Sequence, residues 1–242
     1  MPDPFYRSAE IRWFLPGHAL ENQFVEWFNL PGQEPVVETK DYDEQPEAPP
    51  FVKKERERSD EYLLLPDCDT VGVKQRQGKL EVKALVAGPR PFSHGTVVGR
   101  VDQWVKWSFT PSKKAFPDGI LLGQQLDGEF DKSGLWCKVV KNRYLQKYSF
   151  DSGSLVAVSP DLFVDTGGCN IEFTVVDAGP NAEPWLTFGF EAFGPFARVV
   201  AQLDEAVEHF FAVHGPAPVR LVGRDSLSYA AWLAICVDGT RQ

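Results

Sequence analysis

The sequence lacks the signatures of several common protein classes. Its 242 residues include only four cysteines and four histidines, with no CxxC pair and no histidine at metal-ligand spacing from a cysteine. No P-loop, Rossmann glycine motif or HExxH sequence is present. These absences argue against zinc sites of the usual spacing and against P-loop and dinucleotide-binding enzymes. A catalytic triad assembled from residues far apart in the chain is left open.

Long apolar runs are also missing. No stretch has the length of a transmembrane helix, and residues 1–14, MPDPFYRSAEIRWF, do not show the basic-then-apolar pattern of a secretory signal. The four cysteines are widely separated, which is typical of reduced, buried thiols in a cytosolic protein. We therefore expect a cytoplasmic protein that does not associate with membranes.

Basic residues are in deficit. There are 25 Lys and Arg against 34 Asp and Glu, and the formal net charge is -9. A negative net charge disfavours a general nucleic-acid binder, so no DNA partner is expected. A local cluster of basic residues is still compatible with this net charge. The length allows one large domain over residues 1–242 or two small ones, and the 13% of aromatic residues indicates a folded globular protein. Within it, residues 30–59 form a proline-rich charged excursion, and residues 196–236 form C-terminal helices.

Residues 69–86 read as a β-hairpin with charge on one face. Two segments alternate apolar and polar side chains at the strand period of two, and Gly78 lies at the reversal between them. The charged side chains on the polar faces are Lys74, Arg76, Glu81 and Lys83. Taken alone, such a face is either solvated or part of an anion site.

The same alternation recurs along the chain. Further strands are predicted at Ser8–Leu15, Glu61–Leu65, Val97–Phe109, Leu135–Tyr148, Asn170–Val176 and Trp185–Phe193. Helices are predicted at His18–Asn29, Phe196–Val213 and Ser226–Cys236, the last with Ser226 as its N-cap. The polar faces of the later strands add Lys106, Lys141, Arg143, Glu172 and Glu191, and the first strand adds Glu10.

Two mainly β architectures fit this pattern. One is a flat sheet with one wet face, and the other is a closed antiparallel barrel with a polar lumen, which also removes exposed strand edges. In a barrel the charged side chains would converge on a site suited to a polyanion, held by Lys and Arg, and to a hard divalent cation on carboxylates.

The order of the predicted strands and the spacing of their charged residues resemble the CYTH superfamily, the triphosphate tunnel metalloenzymes. The locally specific part is residues 62–83, YLLLPDCDTVGVKQRQGKLEVK, which is similar to that family's block of a tyrosine, two basic residues at alternate positions, a turn and a lysine. Residues 141–144, KNRY, resemble a later basic strand of the family, and residues 228–233, SYAAWL, resemble a closing helix. The strands of Glu172 and Glu191 resemble its acidic closing pair.

The resemblance implies an eight-stranded antiparallel β-barrel, or tunnel, with a few flanking helices. Such a tunnel binds triphosphates or polyphosphate and hydrolyses them with Mg or Mn. The phosphate-binding residues implied are Lys74, Arg76, Lys83 and Arg143, with Lys106 and Lys141 as weaker candidates. The catalytic and metal-binding carboxylates implied are Glu10, Glu172 and Glu191.

The first strand departs from the family pattern of Glu, Glu and Lys at alternate positions, because this chain has Glu10, Arg12 and Phe14 there. Arg12 replaces a negative charge by a positive one, which weakens divalent binding, and Phe14 removes an amine that would meet phosphate. Three functions therefore stay open: a metal-dependent triphosphatase, a binding module that holds the anion without turnover, and an unrelated barrel for an apolar ligand. The third is suggested by 18 Phe and 7 Trp, which more often form core. The oligomeric state is unspecified.

Overall fold

The computed structural model describes residues 6–29, 36–37, 52–65, 67–110, 136–151, 153–178 and 183–238. The strands are β1 Tyr6–Pro16, β2 Val36–Val37, β3 Lys53–Lys54, β4 Arg58–Leu63, β5 Val71–Arg76, β6 Lys79–His94, β7 Val97–Phe109, β8 Trp136–Ser149, β9 Val156–Val158, β10 Gly168–Asp177 and β11 Trp185–Phe193. The helices are α1 Glu21–Phe28, α2 Val199–His214 and α3 Tyr229–Asp238, with a 3-10 turn at Gly223–Asp225.

Eight of these strands form a closed antiparallel barrel. Its order is β10, β11, β1, β7, β6, β5, β4 and β8, and β8 pairs again with β10 to complete the ring. The short strands β3 and β9 add to β8, and β2 pairs in parallel with β3. The predicted eight-stranded barrel with few helices is confirmed, and the flat-sheet alternative is wrong.

The main hydrophobic core lies outside the barrel wall. On β1, Ile11 and Trp13 are buried on the outer face, and α1 and α2 cover this side of the sheet. Phe24 of α1 stacks on Phe173 of β10 with ring centroids 5.2 Å apart, and Phe210 of α2 lies 5.6 Å from Phe188 of β11. Each such side chain stabilises the fold by roughly 1.5–3 kcal/mol on burial. Because the apolar packing is outside, the inner face is free to be polar.

The third helix closes one end of the barrel. Trp232 and Leu233 of α3 pack with Phe14, Tyr62 and Val176 in a second apolar cluster. The rings of Phe14 and Trp232 stack with centroids 4.9 Å apart, and both residues are fully buried. Phe14, which departs from the family pattern in the sequence, is therefore a packing partner of α3.

The predicted hairpin forms at the expected place. Gln77 and Gly78 have φ of 50° and 74°, and this pair of positive values is what a two-residue reversal between right-twisted strands requires. The second arm continues beyond the predicted end at residue 86 and reaches His94. Its pairing with β7 shifts register between Leu85 and Arg90, so the strand absorbs the interruption at Gly88 and Pro89 as bulges.

Two predicted boundaries are wrong. Part of the irregular excursion at 30–59 is strand, because β2, β3 and the start of β4 lie within it. Residues 30–35 and 38–51 lie outside the described residues, as does most of the predicted loop at 110–134. Ser226 is not the N-cap of the last helix. Its buried hydroxyl accepts a hydrogen bond from the Arg100 backbone N–H at 3.0 Å, and the Ser228 hydroxyl caps α3 by accepting from the Ala231 N–H at 3.1 Å.

Within the described ranges, no helix is both long and apolar enough to span a bilayer.

Candidate functional site

The barrel encloses a cavity of about 590 Å³, a size typical of small-molecule sites. Strand register brings every site residue predicted from the sequence to its wall. These residues are Glu10, Lys74, Arg76, Lys83, Lys106, Lys141, Arg143, Glu172 and Glu191. The roles assigned to them remain predictions.

The described wall of this cavity is positively charged, although the chain as a whole carries -9. Eight cationic side chains line it against five carboxylates. The cations are Arg12, Arg58, Lys74, Arg76, Lys83, Lys106, Lys141 and Arg143. The carboxylates are Glu10, Asp67, Glu81, Glu172 and Glu191. Asp60 and Glu55 do not belong to this lining but pair with Arg58, Lys74, Lys141 and Arg143, so the eight cations meet seven carboxylates in all.

Glu172 is held between two arginines. Its Oε1 accepts from Arg12 at 2.9 Å and its Oε2 lies 2.7 Å from an Arg143 guanidinium nitrogen. The Thr174 hydroxyl donates to the same Oε1 at 3.0 Å. Burial raises the pKa of Glu172, but the two guanidinium groups outweigh burial and hold that pKa well below its usual range. Glu172 is therefore a permanent counter-ion of this arginine pair.

Gly189 makes room for this arrangement. In the sheet register it lies between Arg12 of β1 and Glu172 of β10, on the strand that separates them. A Cβ at residue 189 would come within 2.8 Å of the Ile11 carbonyl oxygen and 3.1 Å of the Arg12 Cβ. The bare backbone lets a salt bridge cross over β11.

Glu10 and Glu191 face each other across β1 and β11 and share one cation. The Lys83 ammonium contacts the Glu10 carboxylate and lies 3.7 Å from Glu191 Oε1. Burial raises the pKa of Glu10, and the negative charge of Glu191 raises it further. Lys83 lowers this pKa, but the net result is a pKa of about 7. Burial also acts to raise the pKa of Glu191, but Lys83 and Lys106 lower it below its usual range. Glu10 is therefore the carboxylate of the pair that exchanges a proton near neutral pH, while Glu191 stays ionised.

Asp60 is the counter-ion of a third cluster, which sequence analysis missed. It is fully buried, with Oδ2 3.1 Å from Lys141 Nζ and 3.5 Å from nitrogens of both Lys74 and Arg58. Burial raises the pKa of Asp60, but Lys141, Lys74 and Arg58 outweigh it and hold the pKa far below its ordinary value. Burial lowers the pKa of Lys141 more than Asp60 raises it.

Lys141 is enclosed by aromatic rings as well as by Asp60. Its Nζ lies 2.6 Å from the Tyr62 hydroxyl and 4.0 Å from the ring centroid of Tyr229. The period-two series Arg58, Asp60 and Tyr62 could have revealed this face, but it lies at the edge of the stretch interpreted as irregular. Tyr229 could not be placed from a helical pattern.

The cations of the opening hairpin differ in how far they are neutralised. Lys74 and Arg76 lie 3.1 and 3.2 Å from the two oxygens of Glu81. Lys106 makes no ion pair with any carboxylate in the described ranges, and its ammonium sits 4.2 Å from the ring centroid of Tyr6. Lys106 and the outer part of Arg76 are therefore the most available charges for an incoming anion.

The three glutamates implied as metal ligands do not fit a divalent site. Mg²⁺ and Mn²⁺ need carboxylates whose charge is not already compensated, and Glu172 is bound by two arginines while Glu10 and Glu191 share Lys83. No group of three or more His, Cys, Asp or Glu side chains in the described part of the chain is arranged to hold a metal ion. The donor set is that of an internally neutralised charge network.

No family model and no curated protein matches the chain. Among solved structures it is similar to a protein from Bacillus halodurans described as a "putative adenylate cyclase", with 9% identity over 88% of this chain and 96% of the other, and a TM-score of 0.32. It is also similar to the S. pombe Pct1 RNA triphosphatase, solved in complex with the Spt5 CTD, with 11% identity over 89% and 80% of the two chains and a TM-score of 0.31. The closed eight-stranded barrel itself is the fold implied by the resemblance to the triphosphate tunnel family.

Proposed function

We propose that the barrel lumen binds a small phosphorylated anion, a triphosphate or polyphosphate. One observation carries this proposal: an acidic chain directs eight cationic side chains into a single cavity of about 590 Å³. Lys and Arg make their strongest hydrogen bonds with carboxylate and phosphate oxygens. Asp60 and Glu55 pair with four of these cations as well, so seven carboxylates meet the eight cations, and the proposed binding depends on the cations that an anion can reach more than on the net charge.

The cations would contribute unequally. Lys106, Arg76 and Lys83 lie where an anion can reach them, and Lys83 would exchange its contact with Glu10 for a phosphate oxygen. Lys141 is only 3% exposed and bound to Asp60, so it acts through its charge and by positioning neighbouring groups.

Binding without metal-dependent hydrolysis is the form of this function that we favour. Hydrolysis by the route implied by the family would need Glu10, Glu172 and Glu191 to hold divalent cations. Arg12 occupies the position of one further carboxylate and instead compensates Glu172 at 2.9 Å. The charge that a metal would neutralise is already neutralised by the chain.

The binding is tested by titration calorimetry with tripolyphosphate at fixed ionic strength. Arg76→Ala and Lys83→Ala each remove a charged hydrogen-bond donor, which contributes about 1.5–3 kcal/mol, so the Kd should rise about 10- to 150-fold. Lys138→Ala is the matched control, because Lys138 is an exposed residue of β8 that does not line the cavity. An unchanged Kd in both lumen variants would rule out the proposal.

Turnover is tested separately by measuring phosphate release from tripolyphosphate and nucleoside triphosphates with Mg²⁺, with Mn²⁺ and with neither. A binding module gives the same rate as a blank without protein in all three. Metal-dependent release that Glu172→Gln abolishes would instead establish the hydrolase.

A further inference from the structure

The cavity changes character along its length. Between α3 and the segment that joins β4 to β5, its wall is built mainly from apolar side chains, namely Leu63, Leu64, Leu65, Val71, Ala230 and Leu233. The charged residue lining this part of the described wall is Asp67, whose carboxylate repels phosphate. All eight cations lie on the barrel strands instead. Arg12 and Lys141 reach the first residue of α3, at 5.2 and 4.0 Å from the Tyr229 ring centroid, and the apolar stretch begins beyond them.

The same end is closed to a long polyanion. Phe14 and Trp232 stack there and are fully buried, and Leu233 is 3% exposed. Beyond Arg12 and Lys141, an inorganic polyphosphate would lose its solvation against apolar side chains. What fits this space is an apolar group.

Tyr229 marks the boundary between the two parts. Its ring stacks on Tyr62 with centroids 5.7 Å apart, and the Arg12 guanidinium lies 5.2 Å from its centroid. Its hydroxyl is buried and makes no hydrogen bond with any described residue. Burial raises the pKa of Tyr229, so the hydroxyl keeps its proton. The hydroxyl oxygen has almost no accessible surface, so Tyr229 lines the cavity through its other atoms.

We propose that the natural ligand is a phosphate or polyphosphate ester with an apolar organic group. Its phosphates lie among the lumen cations, the ester linkage lies near Tyr229, and the organic group packs between α3 and the β4–β5 segment. This inference rests on the proposed binding of phosphorylated anions and adds the class of ligand.

The test compares pyrophosphate with methyl, butyl and hexyl diphosphate by titration calorimetry, each as a monomer below its aggregation concentration. Every added methylene that enters the apolar part should tighten binding about fourfold. An affinity that stays constant from methyl to hexyl diphosphate would overturn the inference. If pyrophosphate still bound in that case, the proposed function would stand alone.

Two variants localise the apolar group. Leu65→Asn should remove most of the gain from methyl to hexyl diphosphate while pyrophosphate binds as before, which also shows that the fold is intact. Leu162→Asn is the matched control, since Leu162 is 51% exposed and does not line the cavity. An equal chain-length gain in both variants would contradict the assigned place. If wild-type protein bound neither pyrophosphate nor any ester, the proposed function would fail and this inference with it.

Discussion

Replacing Asp60 by Asn should destabilise the protein strongly. The substitution keeps the shape of the side chain but removes the carboxylate that lies 3.1 Å from Lys141, a residue only 3% exposed. Lys74 and Arg58 keep Glu81 and Glu55 as partners, at 3.1 and 3.7 Å. Lys141 keeps no other carboxylate at ion-pair distance among the described residues, and Lys74 and Arg58 repel it. Leaving one charge of a buried pair uncompensated costs about 3–5 kcal/mol.

Urea denaturation and thermal melting measure this loss. For a chain of this size, a loss of 3–5 kcal/mol corresponds to a Tm lowered by roughly 6–20 °C. The deficit should shrink as the pH rises from 7 to 9. Asp60 raises the pKa of Lys141 against burial, so its removal lowers the folded-state pKa further below the unfolded value, and a group depressed in this way gains stability with pH.

The double variant Asp60→Asn, Lys141→Met provides the internal control. It removes both charges, and replacing a buried ion pair by groups of similar volume is often close to neutral. Most of the lost stability should therefore return. A single variant that loses less than about 1 kcal/mol, or a double variant that recovers nothing, would refute the view that Asp60 exists to compensate Lys141.

Three further predictions concern the lumen. Sulfate, whose charge is constant from pH 6 to 8, should bind more weakly across that range because Glu10 loses its proton near pH 7. The stability that comes from the raised pKa of Glu10 is lost between its ordinary value of 4.5 and about pH 7, and Glu10→Gln should flatten both profiles. Gly189→Ala should cost about 1–3 kcal/mol in urea denaturation, since the new methyl meets the Ile11 carbonyl at 2.8 Å, and unchanged stability would contradict the close packing described. Arg12→Glu should increase Mn²⁺ affinity in calorimetry, and no gain over wild type would show that Arg12 is not what disables a divalent site.

The strand faces were predictable because alternation is a local property. Once Lys74, Lys83, Glu172 and Glu191 were assigned to polar faces, closure of the barrel was enough to bring them to one cavity. Which charge pairs with which was not predictable. The bridge between Arg12 and Glu172 joins residues 160 positions apart and depends on β11 lying between their strands, with a glycine at the crossing.

Asp60 and Tyr229 were missed for different physical reasons. Asp60 follows the mixed-charge run of residues 53–58, whose composition is typical of a solvated loop. Only Arg58 of that run belongs to β4, where Arg58, Asp60 and Tyr62 share one face at the strand period. Tyr229 belongs to a short helix that is apolar on all sides, so no periodicity indicates which face meets the lumen. Its position became clear only from the way α3 covers the end of the barrel.

The two departures in the first strand act together on the charge of the lumen. Arg12 compensates Glu172, and Phe14 joins the apolar cluster under α3, so neither position calls for a metal or offers an amine to phosphate. The buried carboxylates are thereby neutralised by residues of the same chain, and what remains on the wall is a surplus of positive charge beside an apolar compartment. A divalent cation would increase that surplus, whereas an anion with an apolar group reduces the charge and fills the compartment. The charge of the lumen therefore favours a phosphorylated amphiphile over a metal as its partner.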